Sequence, residues 1–115
     1  MSEIEDQRLV DPSAALARIR GGALTIDVRG IDDDPVPGAI AVDRNRLPEL
    51  FSETSPERLP ELESPDQEIV VYCASERGSA PVAEWLARAG FTNVVHVDGG
   101  IAALRAAQGS EDPPR

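Results

Sequence analysis

Apolar positions along the chain fall into two alternating patterns. Short dense runs read as strands: Arg8-Leu9-Val10, Leu24 to Val28 (LTIDV), Ala39 to Val42, Glu68 to Tyr72 (EIVVY) and Asn93 to Val97. Between them lie stretches of helical period. Asp11 predicts an N-cap with Pro12 at the first helical position, Ala15, Leu16 and Ile19 form an apolar stripe, and Gly21-Gly22 stops that helix. Gly30 to Gly38, rich in Asp and Pro, reads as a loop, and 46–63 as one or two helical turns broken by Pro48, Pro56 and Pro60. A further helix is expected from about Ser79 to Ala89, with Val82, Ala83, Leu86 and Trp85 on its apolar side. Gly90 ends it, and Asp98-Gly99-Gly100 opens a last short helix through Leu104. The expected organisation is a polar tail over 1–7, one domain over 8–106 and a loose tail over 107–115.

Strand alternating with helix predicts an α/β domain: a five-stranded, mostly parallel sheet with helices on both faces. Ligands of such sheets bind beyond the carboxyl ends of the strands. Cys73 ends the clearest strand and a helix follows shortly after it, so chemistry is expected there.

Composition narrows the field. A chain of 115 residues allows one compact domain. No apolar run approaches the roughly 20 residues of a membrane span. The beginning, MSEIEDQRLV, lacks the basic and apolar regions of a secretory signal, and a cytoplasmic location is expected. Against 11 basic residues, all arginine, stand 21 acidic ones, a formal charge of -10 that repels phosphate backbones and argues against nucleic-acid binding. One cysteine excludes an internal disulfide, and with a single histidine it is too little for the usual zinc sites. Asp32-Asp33-Asp34 lacks a partner motif and reads as solvated charge rather than a metal site. No metal and no cofactor are expected.

The unit around the cysteine is Cys73-Ala74-Ser75-Glu76-Arg77-Gly78-Ser79, read as an exposed polar loop. Helix dipole and first-turn amides favour a thiolate in such a place. In this reading Ser79 caps the helix, Pro81 lies within the first turn, Gly78 takes a positive φ and the loop amides cradle an anion. The bland alternative, Cys73 as a small apolar residue closing a core strand, fits a polar loop poorly. Arsenate and phosphate chemistry of related architecture needs Arg six residues after the nucleophile, where this chain has Ser79. A Cys/His hydrolase would use His96, which reads better as a packed structural histidine. Asp27 and Arg29, at a neighbouring strand end, are expected to form an ion pair.

Asp27-Val28-Arg29, Pro37-Gly38-Ala39-Ile40, Ile69-Val70-Val71-Tyr72-Cys73, Ser79, Leu86, Gly90-Phe91-Thr92-Asn93-Val94 and Asp98-Gly99-Gly100-Ile101 occur here in order. By these pieces, over roughly residues 8 to 106, the chain resembles a single-domain rhodanese, a sulfurtransferase-like module. The resemblance implies that Cys73 takes sulfane sulfur from an anionic donor such as thiosulfate, holds it as a persulfide and passes it to a thiol acceptor or carrier protein. It also implies Ala74 to Ser79 as the substrate-binding loop, with Asp27 and Arg29 as supports of the rim. The loop departs from the family pattern: Glu76 and Gly78 stand where Gly and a basic residue are usual, and Arg77 comes one position early. Val36 replaces the usual His before Pro37, and Ala102, Ala103 and Leu104 follow the Gly-Gly without its aromatic. Two readings stay open: an enzyme in which Arg77 meets the donor or Glu76 faces the pocket, and a binding or redox-sensing module without turnover.

Overall fold

The computed structural model of the chain describes residues 8–110; the expected tail over 1–7 and the end of the other, 111–115, lie outside the described residues. Five strands, β1 (Leu9–Val10), β2 (Leu24–Asp27), β3 (Ala39–Ala41), β4 (Ile69–Tyr72) and β5 (Val94–Val97), form one sheet in the order β1-β5-β4-β2-β3. Every pairing in it is parallel.

Residues of β2, β4 and β5 are buried throughout, as expected when helices cover both faces of a parallel sheet. Alternation along each strand splits the core in two. On one face Leu24, Ile26, Ile69, Val71 and Val94 pack with Val82, Ala83 and Leu86 of α3 (Glu76–Arg88) and Leu47 and Phe51 of α2 (Leu47–Phe51). On the other, Val70, Tyr72, Val95 and Val97 pack with Ala15 and Leu16 of α1 (Pro12–Arg20) and Ile101 and Leu104 of α4 (Gly100–Ser110).

Helix α1 begins as its sequence predicts. The Asp11 side chain accepts from the Ala14 N–H at 2.8 Å, Pro12 follows and Gly21 caps the end. Such an N-cap is worth about 1 kcal/mol. Two other helices differ from expectation. Helix α3 starts at Glu76, three residues before Ser79, because Ser75 holds the extended N-cap conformation and its carbonyl accepts from the Gly78 N–H at 3.1 Å. Pro81 therefore lies inside the helix rather than in its first turn. Helix α4 continues past Leu104 to Ser110, as Arg105-Ala106-Ala107-Gln108 are good helix formers and no proline intervenes before Pro113.

Candidate active site

Parallel register brings the strand ends to one edge. Asp27 is level with Ala41 on one side and Tyr72 on the other, and Val10 is level with Val97. Five chain segments therefore leave the sheet together: Asp11, Val28-Arg29, Val42 to Arg44, Cys73 to Ser75 and Asp98 to Gly100. This is the edge at which parallel sheets bind ligands.

Cys73 is half-buried, and its apolar side packs against the core on the α3 face. Its Sγ lies 4.0 Å from the Val28 carbonyl oxygen. The Cys73 carbonyl accepts from the Ile101 N–H at 2.9 Å, so α4 fixes the backbone of the cysteine. Gly100 has φ +67, and a Cβ there would stand 2.3 Å from the Ala74 carbonyl oxygen; only glycine permits this approach. Gly78 has no positive φ, contrary to expectation, because it is an ordinary helical residue. Its lack of a side chain serves contact instead, since a Cβ would fall 2.5 Å from the Cys73 Sγ.

The cation beside the thiol is one that the sequence alone does not point to. Arg44 Nη2 is 3.7 Å from the Cys73 Sγ and donates to the Gly78 carbonyl, while its Nε points at the Val28 carbonyl at 3.4 Å. The side chain is delivered by a short 3-10 turn over Arg44–Arg46. That turn is held by the Val42 N–H on the Asp27 carbonyl at 2.9 Å and by the Asp43 side chain accepting from the Asn45 N–H at 2.9 Å. Arg44 itself remains exposed.

The expected loop of Cys73 to Ser79 proves to be three loop residues followed by a helical turn. Arg77 is exposed in that first turn and makes no hydrogen bond or ion pair among the described residues. Glu76 does not face the thiol. Its Oε1 accepts from the Gly99 N–H at 3.0 Å, joining the start of α3 to the β5–α4 loop. Hydrogen bonds from its own N–H and that of Gly99 hold the Glu76 carboxyl below its usual range. Ser79 is no cap: it is buried, and its Oγ lies 2.8 Å from His96 Nδ1. His96 is buried as expected of a packed histidine. The N–H groups of Ala74, Ser75 and Arg77 have no hydrogen-bond acceptor among the described residues.

Asp27 and Arg29 form the expected ion pair. Arg29 Nη2 meets Asp27 Oδ2 at 2.7 Å, Nε adds two contacts of 3.0 Å, and the Asp27 side chain is wholly buried. Hydrogen bonding to that carboxylate raises the Arg29 guanidinium above its ordinary value. Arg29 Nη2 also donates to the Asp34 carbonyl at 2.7 Å, which gathers the 30–38 loop. Tyr72 Oη accepts from the Val36 N–H at 2.8 Å, and burial pushes its phenol well above the ordinary range. The pair thus braces the rim beside the thiol without touching Sγ.

A groove of about 510 Å³ lies near the other end of α3, lined among others by Phe51, Arg58, Leu62, Trp85 and Phe91, and none of the groups around Cys73 borders it. That groove holds no thiol and cation in contact, and the Cys73 edge, which does, is the candidate site. Among the described residues no helix is long and apolar enough to cross a membrane, and no three His, Cys, Asp or Glu gather as a metal site.

Solved structures share this fold. A Rhodopseudomonas palustris protein of unknown function, described as a possible tyrosine phosphatase, superposes with a TM-score of 0.75 at 24% identity, over 94% of this chain and 96% of its own. A rhodanese-like domain from Anabaena gives 0.71 at 23% identity, over 95% and 86%. The thiosulfate sulfurtransferase of Pseudomonas aeruginosa gives 0.63 at 25% identity, over 86% of this chain and 18% of its own. No curated protein sequence matches. The family model for the rhodanese-like domain matches residues 11–107, and with strands, cysteine and glycine-lined edge placed as described, the chain belongs to the rhodanese-like domain family.

Proposed function

We propose that the protein is a rhodanese-like sulfurtransferase working through a Cys73 persulfide. The observation that carries this reading is the half-buried thiol at the end of β4 with a guanidinium 3.7 Å from its sulfur. Paired with unbonded amides at the head of α3, that cation stands where the anionic sulfur adduct of Cys73 would form.

In the first step the Cys73 thiolate attacks the outer sulfur of a donor such as thiosulfate. The new S–S bond forms on Cys73, the donor's own S–S bond breaks, and its electron pair leaves with sulfite. In the second, an acceptor thiolate attacks the outer sulfur of the persulfide, and the electron pair of the broken bond returns to Cys73. Both steps balance without a cofactor. The acceptor is a small thiol or the thiol of a carrier protein, and the acidic surface suits a cytoplasmic module that avoids nucleic acid. Asp27 and Arg29 support the rim rather than react.

Phosphatase chemistry, suggested by the description of the R. palustris protein, finds no support at this site. Ser79 occupies the place of an oxyanion-clamping arginine and is buried against His96.

Turnover of thiosulfate with cyanide tests the proposal. Activity in the wild type, lost in Cys73→Ser with an unchanged circular-dichroism spectrum, is the expected result. A wild type that binds thiosulfate without turnover favours the binding or redox-sensing module, and activity persisting in Cys73→Ser removes the thiol from the mechanism.

A further inference from the structure

We infer that Arg44 is the donor-binding residue of this site and that it selects donors whose leaving group carries an oxyanion directly on the sulfur. This rests on the persulfide reading. The segment after the cysteine offers no cation to an incoming donor, since Gly78 stands at the basic position and Arg77 projects from the exposed side of the first turn. Arg44 comes instead from the opposite wall, between β3 and α2, and meets the thiol from there.

Three observations fit a ligand role better than a purely structural one. Arg44 is exposed, so its guanidinium stays accessible to an incoming anion. Two of its nitrogens are aimed by fixed carbonyls, Nε by Val28 and Nη2 by Gly78, which orients the planar group before a donor arrives. Nη2 also faces Sγ at 3.7 Å, so a charge bound there sits within one or two bonds of the transferred sulfur. On a chain of net charge -10, an anionic donor needs such a local cation.

Thiosulfate and thiosulfonates place their oxyanion on the atom bonded to the sulfane sulfur. When Cys73 takes that sulfur, the electron pair of the breaking S–S bond passes to sulfite or sulfinate, and the guanidinium meets the charge that leaves. In a peptide persulfide such as glutathione persulfide the leaving thiolate gains charge on sulfur and the carboxylates lie many bonds away. Arg44 therefore discriminates between the two donor classes, whereas a residue that merely props Cys73 would serve both alike.

The test is the rate of persulfide formation on the intact protein, followed by mass, with thiosulfate and with glutathione persulfide. Arg44→Ala is expected to slow loading from thiosulfate about tenfold to a hundredfold, the effect of losing one charge-assisted hydrogen bond. Loading from glutathione persulfide is expected to change less than threefold. Arg44→Lys, which keeps the charge and loses the fork, should recover part of the thiosulfate rate. Equal slowing with both donors in Arg44→Ala, or no slowing with either, overturns the assignment while leaving the persulfide reading in place. If Arg44→Ala is unfolded, Arg44→Lys decides: unaltered preference for thiosulfate over glutathione persulfide rejects the role. A wild type that loads from neither donor defeats the persulfide reading, and this inference with it.

Discussion

Gly78 marks how tightly the thiol is seated. A methyl group there would stand 2.5 Å from Sγ and 2.9 Å from the Cys73 Cβ, so Gly78→Ala must displace the thiol, while Arg44 Nη2 at 3.5 Å stays in ordinary contact. We expect thiosulfate loading of Cys73 to fall at least tenfold while stability drops by about 1–3 kcal/mol, the usual cost of overpacking; urea unfolding beside the loading rate separates the two effects. Arg29 belongs to the other kind of residue, one that braces. Arg29→Ala leaves the Asp27 carboxylate buried without its partner, and a loss of about 3 kcal/mol is expected in urea unfolding. Asp27→Asn, which keeps the shape and removes the buried charge, should cost less. Both residues were visible in the sequence, but Gly78 for the wrong reason, because a turn glycine and a close-approach glycine look alike in one dimension. Arg44 gave no local signal at all: it falls between the strand expected over Ala39 to Val42 and the helical turns expected over 46–63, and it lies 29 positions before the cysteine. Its signal was topological, since a parallel β3 must end at the same edge as β4.

Between elements, the joint of α3 with α4 decides the shape of the edge. Glu76 at the head of α3 holds the Gly99 N–H, and Gly100 lies against the Ala74 backbone. Because folding lowers the Glu76 pKa, its contribution to stability is present above the unfolded value near 4.5 and is lost as pH falls through the lower folded value. Thermal unfolding should accordingly show that Glu76→Gln removes part of the acid-dependent fall in Tm below pH 4.5 and loses stability chiefly above it. A parallel acid profile in variant and wild type would mean that the carboxylate is idle. Gly100→Ala forces a left-handed φ on alanine and drives its methyl into the Ala74 carbonyl, so a lower Tm and slower thiosulfate loading are expected together. The strands were legible because burial on both faces leaves dense apolar runs, and α1 because Asp11, Pro12 and Gly21 punctuate it. The start of α3 was not. A serine at 75 and another at 79 both suit an N-cap in sequence, and the choice fell to tertiary contacts: Ser79 is drawn inside by His96, while Glu76 reaches Gly99.

At the scale of the molecule, a parallel sheet covered on both faces leaves one edge free to act, and the arrangement at that edge is local charge against global charge. The chain carries a net -10, yet its candidate nucleophile faces a guanidinium. The rhodanese-like order of strand ends, cysteine and Gly-Gly turn could be read from sequence because each piece answers a backbone requirement of the fold. The donor side could not, because it depends on which side chain crosses the edge. The proposed sulfur transfer depends on the Cys73 Sγ as the atom that accepts sulfur, and intact mass after incubation with thiosulfate tests that most directly. The wild type should gain the mass of one sulfur, lose it again to cyanide or dithiothreitol, and show no gain in Cys73→Ser. An unchanged wild-type mass, or the same gain in Cys73→Ser, would contradict it.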